Sequence, residues 1–138
     1  MIMPGSDTLH GPGFDIELAE RHGYLRAHVR GGVDSVAVSV AYWTALGTEC
    51  RHRAATCLLV IEELEPFGDP GPDVFETVTD AMVEAGFRDI RLAFVDAREE
   101  VEANEMGMIV GADKGLAMMM FSSESVADHW LRFGGGRG

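Results

Sequence analysis

The sequence predicts an α/β domain built on a mostly parallel sheet, and three observations carry that expectation. Apolar and polar residues alternate through Phe14, Ile16 and Leu18 and again through Leu25, Ala27 and Val29, the period of half-buried strands. Short apolar runs recur at Cys57-Leu58-Leu59-Val60-Ile61, at 90–95 and at 116–121. Between these runs lie stretches whose apolar residues recur every three or four positions, the spacing of amphipathic helices. Strands alternating with helices of this length pair in parallel through right-handed crossovers. The predicted order is β-β-α-β-α-β-α-β-α, with the first strand antiparallel.

The elements follow in chain order. Residues 1–13 hold Pro4, Gly5, Gly11, Pro12 and Gly13 and are expected to be a mobile leader. Arg21-His22-Gly23 joins the first two strands as a tight hairpin turn, and Gly31-Gly32 is expected to end the second. Asp34 or Ser35 caps the first helix, since a side-chain oxygen at either position can accept an orphan backbone N–H. Val36, Val40, Trp43, Leu46 and Cys50 form its stripe, and Arg51, His52 and Arg53 close it where positive charge suits the helix dipole. Cys57 to Ile61 then reads as a strand buried on both faces, followed by an acidic, Gly- and Pro-rich loop over 62–72. Asp73 with Glu76 has capping-box spacing at the start of a helix carrying Val74, Val78, Ala81, Met82 and Ala85, and Gly86 stops it. A strand over 90–95, a helix over 99–110, a strand over 116–121 and a final helix capped by Ser123 with Val126, Trp130 and Phe133 complete the body. The expected organisation is one domain over 14–133 and a flexible Gly-rich tail over 134–138.

A chain of 138 residues with 46% hydrophobic content is long enough for one core without metals or disulfides. Its net charge of −12 repels phosphate backbones and anionic headgroups, which argues against nucleic acid as a partner. Two cysteines do not make a disulfide scaffold. No secretory signal pattern opens the chain, and no apolar run approaches the ~20 residues of a membrane span, so a cytoplasmic protein without integral membrane contact is expected. Ten of the eleven basic residues are arginine, and alanine and glycine are abundant, a composition typical of a GC-rich bacterial genome.

Several stretches resemble the SpoIIAA-like branch of the STAS domains. They are Gly23-Tyr24-Leu25-Arg26 leading through Val29 and Gly31, the run Cys57 to Ile61, and the segment from Glu105 through Gly115-Leu116 to Phe121 that continues into Ala127-Asp128-His129-Trp130-Leu131. The resemblance covers almost the whole body. It implies a curved sheet in sequential strand order, helices alternating with strands as a βα superhelix, and a domain that works through contacts with other proteins. In the anti-sigma-antagonist members, a serine at the start of the helix after the third strand is phosphorylated by a partner kinase. Residues 69–75 contain no serine or threonine, and Thr77 and Thr79 fall off the motif. The phosphorylation switch is therefore not carried over.

Glu62, Glu63, Glu65, Asp69 and Asp73 follow a buried strand, where open α/β sheets tend to bind ligands, and Phe67 sits among them. Clustered carboxylates suit Mg²⁺ or Ca²⁺, but no cage spacing is present, and use of the loop for partner docking is the preferred reading. A metal-assisted enzyme using Glu62, Glu65 and Asp69 is the least favoured alternative. Cys50, His52 and Cys57 lack the second ligand pair that structural zinc needs. Gly111-Ala112-Asp113-Lys114-Gly115 lacks phosphate-loop spacing, and no histidine sits beside a nucleophile elbow. Glu99, Glu100, Glu102 and Glu105 read as the solvated start of a helix. Met118-Met119-Met120 is core if its strand is central; at an edge, Met118 and Met120 with Trp130 and Phe133 line a pocket for an apolar ligand.

The expectation is thus a non-enzymatic protein-interaction module without cofactor or metal, using Glu62, Glu63, Glu65, Phe67, Asp69 and Asp73 to bind another protein. The alternative is a carrier of a small apolar or lipid-like ligand. Because such a sheet leaves an open edge, a homodimer and a monomer both remain open.

Overall fold

A computed structural model describes residues 6–65, 71–96 and 101–134. Six strands form one sheet in sequential order: β1 (Ser6–Gly11), β2 (Phe14–Arg21), β3 (Tyr24–Val33), β4 (Cys57–Glu65), β5 (Arg91–Asp96) and β6 (Ala117–Phe121). The pairs β1–β2 and β2–β3 are antiparallel; β3–β4, β4–β5 and β5–β6 are parallel. The crossovers carry α1 (Val36–Arg53), α2 (Pro72–Glu84) with a 3₁₀ turn at Phe87–Asp89, and α3 (Val101–Asp113); α4 (Glu124–Phe133) follows the last strand. The predicted α/β class and the sequential, mostly parallel sheet are what the chain adopts.

Sequential order with right-handed crossovers puts α1, α2 and α3 on one face of the sheet. The larger core fills that side: Phe14, Ile16 and Leu18 of β2, Leu25, Ala27 and Val29 of β3, and Leu58, Val60 and Leu64 of β4 meet Tyr42, Trp43 and Leu46 of α1 and Met82 of α2. Among the described residues, α4 is the one helix on the opposite face. Leu59, Ile61, Ala93 and Val95, the other pleat of β4 and β5, pack there with Ala127 and Leu131. Being covered on both faces explains why these two strands read as continuous apolar runs instead of alternating. Among the described residues no helix is long and apolar enough to cross a membrane.

The leader expected over 1–13 is corrected from Ser6 onward. Ser6–Gly11 is a strand in register with β2, pairing Asp7 with Leu18 and Leu9 with Ile16. Leu9 packs on the core, and Arg53 at the end of α1 reaches Asp7 at 3.2 Å, Glu20 at 3.3 Å and Glu49 at 3.1 Å, tying β1, β2 and α1 together. The proline and glycines read as a leader's composition are in part the turn that connects two antiparallel strands. Residues 1–5, and 135–138 of the expected tail, lie outside the described residues.

The hairpin expected at Arg21-His22-Gly23 is present, with positive φ at both His22 (47°) and Gly23 (89°), the backbone that a two-residue turn matched to strand twist requires. β3 does not end at Gly31-Gly32: it continues to Val33 through an irregularity in register after Arg30. Ser35 is the N-cap of α1, its hydroxyl accepting from Val38 N at 3.2 Å, and Ser123 does the same for α4 with Val126 N at 3.2 Å. The capping box at Asp73 and Glu76 is not formed. Helix α2 starts two residues earlier than that box requires, with Gly71 as N-cap and Pro72 as its first residue, whose missing N–H is no loss at that position, and Lys114 takes Glu76 and Asp80 at 2.8 Å each.

Helices α1 and α2 approach closely at Gly47. A Cβ there would lie 2.5 Å from the Ala85 carbonyl oxygen and 2.6 Å from its Cβ, so backbone would have to move. Gly47→Ala gains helix propensity worth up to about 1 kcal/mol but forces overpacking that costs about 1–3 kcal/mol. A net loss of stability of about 1–2 kcal/mol is expected in urea denaturation; a stabilised variant would contradict the packing described.

Candidate functional site

The carboxyl ends of β3, β4 and β5 gather the polar side chains that the sheet's apolar pleat does not absorb. Glu62 and Asp96 are register partners on β4 and β5, and pleat alternation puts both on the α1 side, continuing the rows Leu58–Val60 and Leu92–Phe94. Asp96 is buried although it is charged, at the end of the apolar run Leu92–Val95. Facing them, α1 contributes Ser39 and Tyr42, spaced by three and therefore neighbours on one helix face. Tyr42 is 1% exposed, and its phenol donates to Glu62 Oε1 at 2.7 Å. The Ser39 hydroxyl donates to Asp34 Oδ1. Asp34, in the joint between β3 and α1, also donates its backbone N–H to the Glu65 carbonyl at 2.7 Å, which fixes the end of β3 against the end of β4.

This arrangement has clear electrostatic consequences. Burial, then the nearby Glu62 and Asp34 carboxylates, push the Tyr42 phenol well above its ordinary value, so it stays protonated and acts as a hydrogen-bond donor. Burial raises the Asp34 carboxyl, and the Ser39 hydrogen bond opposes it. A buried phenol held protonated beside acids positions those acids; it does not act as a nucleophile or base near neutrality.

The same strand ends carry an exposed acidic rim. Glu63 and Glu65 of β4 and Asp73 in the first turn of α2 are all exposed. Glu63 points to the opposite face from Glu62 and pairs with His28 of β3. The expected loop over 62–72 is corrected here: residues 62–65 continue β4, held by β3 through the pairs Val29–Glu62, Arg30–Glu63 and Val33–Glu65. Backbone pairing with a long neighbour overrode the acidic composition, and buried Leu64 keeps the pleat. The expected partner-binding residues are therefore divided. Glu62 is committed inward to Tyr42, whereas Glu63, Glu65 and Asp73 remain at the surface. Phe67 and Asp69 lie outside the described residues, as do Glu99 and Glu100.

Other residues singled out from the sequence do not come together. Cys50 is buried on the inner face of α1 with its thiol pushed up to about 11, chiefly by burial; Cys57 packs on the α4 side; His52 is exposed. Met118 and Met120 lie under α3, where Cβ atoms on Gly111 and Gly107 would meet their methyl carbons at 3.0 and 3.2 Å. Trp130 packs on Phe121 of the opposite pleat with ring centroids 5.6 Å apart, and Phe133 is 63% exposed. The four residues expected to line one apolar pocket are thus split between two faces of the sheet, because successive strand residues point opposite ways. Thr79 is buried and donates to the Phe75 carbonyl at 2.7 Å, whereas Thr77 is exposed.

At the other end of the molecule α4 is fastened by polar contacts that sequence reading missed. The Tyr24 phenol donates to Asp128 Oδ1 at 2.6 Å, and Arg26 binds Glu124 through two nitrogens at 2.6 and 3.1 Å. Arg91 lies 4.0 Å above the Trp130 ring on the far flank of the same helix. An open cleft lined by Arg21, His22, Tyr24, Glu124, Ser125 and Asp128 lies beside these contacts. No protein-family model matches the chain, and no curated protein sequence matches it.

Proposed function

We propose that this chain is a protein-interaction module of the STAS/SpoIIAA-like type, acting in the cytoplasm by binding and not by catalysis. The observation that carries the reading is the exposed acidic rim of Glu63, Glu65 and Asp73 at the carboxyl ends of the parallel strands, next to the linked side chains of Asp34, Ser39, Tyr42 and Glu62. Ligands of open α/β sheets collect at that end of the strands. The hydroxyls and carboxylates of this linked group are engaged with one another, which suits a rigid support for a surface better than a reacting centre. An acidic rim on a protein of net charge −12 selects a partner with a basic face, and the long-range field speeds its approach. Sequential βα order and the stretches quoted above support the family reading; without a hydroxyl in residues 69–75, partner choice in this chain rests on fixed charge.

Affinity capture with the triple variant Glu63→Arg, Glu65→Arg, Asp73→Arg tests this. Exposed ion pairs are worth up to about 1 kcal/mol each, so reversing three charges is expected to weaken partner binding at least tenfold, with wild-type binding falling as salt rises. Undiminished recovery of the same partner by the triple variant would reject the rim as the docking surface.

A further inference from the structure

The two edges of the sheet are built differently. The β1 edge is polar: Asp7 and His10 sit on it and are held by Arg53 and Asp15, the kind of charged, short edge that resists adding another strand. The β6 edge is Ala117-Met118-Met119-Met120-Phe121, with no charge and no proline. Its inner side pairs with β5, and among the described residues no backbone group outside the sheet bonds to 117–121. Half of its N–H and C=O groups therefore face outward as an open ladder, and only another strand satisfies such a row completely.

The flank beside this edge is apolar as well. Tyr24–Asp128 and Arg26–Glu124 fix the side of α4 that faces β3, and the Trp130–Phe121 contact fixes the side that faces β6. Val126 and Phe133 share the Trp130 flank by helical spacing and are 56% and 63% exposed; Met119, on the same face of β6, is 41% exposed. These three side chains expose roughly 300 Å² of apolar surface, already the size of the largest patch on a typical monomer and characteristic of interaction sites. On the other face of the sheet, α3, which packs on β6, also carries exposed Met106 and Ile109.

We infer that β6 pairs antiparallel with β6 of a second copy of this chain across a two-fold axis, making a closed homodimer with a continuous twelve-stranded sheet, twice the six strands of one chain. A second copy is the occupant the edge fits, because an antiparallel two-fold juxtaposes each open ladder with its own complement and brings the Met119, Val126 and Phe133 patch of one copy beside that of the other. The uncharged strand is also where two strongly acidic chains can meet without opposing like charges. The inference is independent of the acidic rim, and the rim triple variant should dimerise like wild type.

Sedimentation velocity and light scattering on the full purified chain, from low micromolar to submillimolar concentration, test it. Dimer is the expected species, and Met119→Lys and Val126→Asp, each at an exposed position, should weaken dimerisation at least tenfold while circular dichroism stays unchanged. Thr8→Lys on the β1 edge should leave the dimer intact. A wild-type monomer at every concentration, a dimer indifferent to both the Met119 and Val126 substitutions, or open-ended growth beyond the dimer would overturn the inference.

Discussion

Trp43→Ala is expected to cost the fold about 3–5 kcal/mol, the largest loss of any single truncation considered for this chain. Trp43 is 3% exposed and stands at the centre of an aromatic group on the α1 side of the sheet. Its ring centroid lies 5.0 Å from Tyr42, 5.4 Å from Phe87 in an edge-on arrangement and 6.0 Å from Phe94. Those partners come from α1 itself, the 3₁₀ turn after α2, and β5, so removing the indole opens a cavity bordered by three elements that are far apart in sequence. None can collapse into it without breaking strand or helix hydrogen bonds, which puts the cost toward the upper end of the range. Domains of this kind are stable by about 5–15 kcal/mol in total, so the variant would be marginal. Urea denaturation should show a large fall in midpoint with little change in slope. Trp43→Phe, which keeps most of the volume, should lose less than half as much. A loss below about 1 kcal/mol for the alanine variant would mean that this side of the core is not packed as described.

Trp43 also marks how far the sequence could be read. Its place on the α1 stripe was legible, because spacing of three and four identifies a helix face without knowledge of its partner. The caps at Ser35 and Ser123, the turn at His22-Gly23 and the buried strand from Cys57 were legible for the same reason: each is decided by a few neighbouring residues. What was not legible depends on contacts distant in sequence. Ser6–Gly11 becomes a strand because β2 offers an edge and Arg53, forty-six positions away, offers a counter-charge to Asp7. Residues 62–65 look like loop by composition, yet β3 holds them and β5 also pairs with Glu62; the available signal was Leu64, a lone apolar residue keeping the alternation among acids.

The candidate site divides along the same line. Its exposed acids could be picked out from their position after a buried strand, and Glu63, Glu65 and Asp73 are at the surface as that reading requires. The polar frame was missed. Ser39 and Tyr42 sit inside an apolar stripe, where polar residues look like noise, and Asp96 looks like the residue that simply ends a strand. Only the fold makes Asp34, Ser39, Tyr42 and Glu62 neighbours across residue separations of five and twenty. The apolar pocket failed for a more elementary reason. Met118 and Met120 share a pleat, but the helix after their strand packs on the opposite one, so the last strand and last helix cannot enclose those two side chains.

Alkaline titration should give the second large effect. The chain has two tyrosines, and both phenols are shifted in the same direction. Tyr24 is pushed from 10.0 up to about 12, first by burial and then by its hydrogen bond and proximity to Asp128; Tyr42 is raised well above its ordinary value by burial and the Glu62 and Asp34 carboxylates. A phenol whose pKa is higher in the folded chain than in the unfolded one favours folding fully below the unfolded value. That contribution is lost as pH rises through the folded value, so the window for Tyr24 is about pH 10 to 12. Tyr42 adds to this in the same sense. Phenolate absorbance should therefore stay flat through pH 10 while circular dichroism remains native, then rise for both tyrosines as the fold is lost. Asp128→Asn removes the carboxylate but not the burial, so it should lower the Tyr24 transition only in part. Tyr24→Phe should remove one phenolate from the final amplitude and leave Tyr42 silent until unfolding. A native chain that ionises one tyrosine with a midpoint near 10 would show that the phenol in question is not held as described, and the surviving single-tyrosine variant would say which.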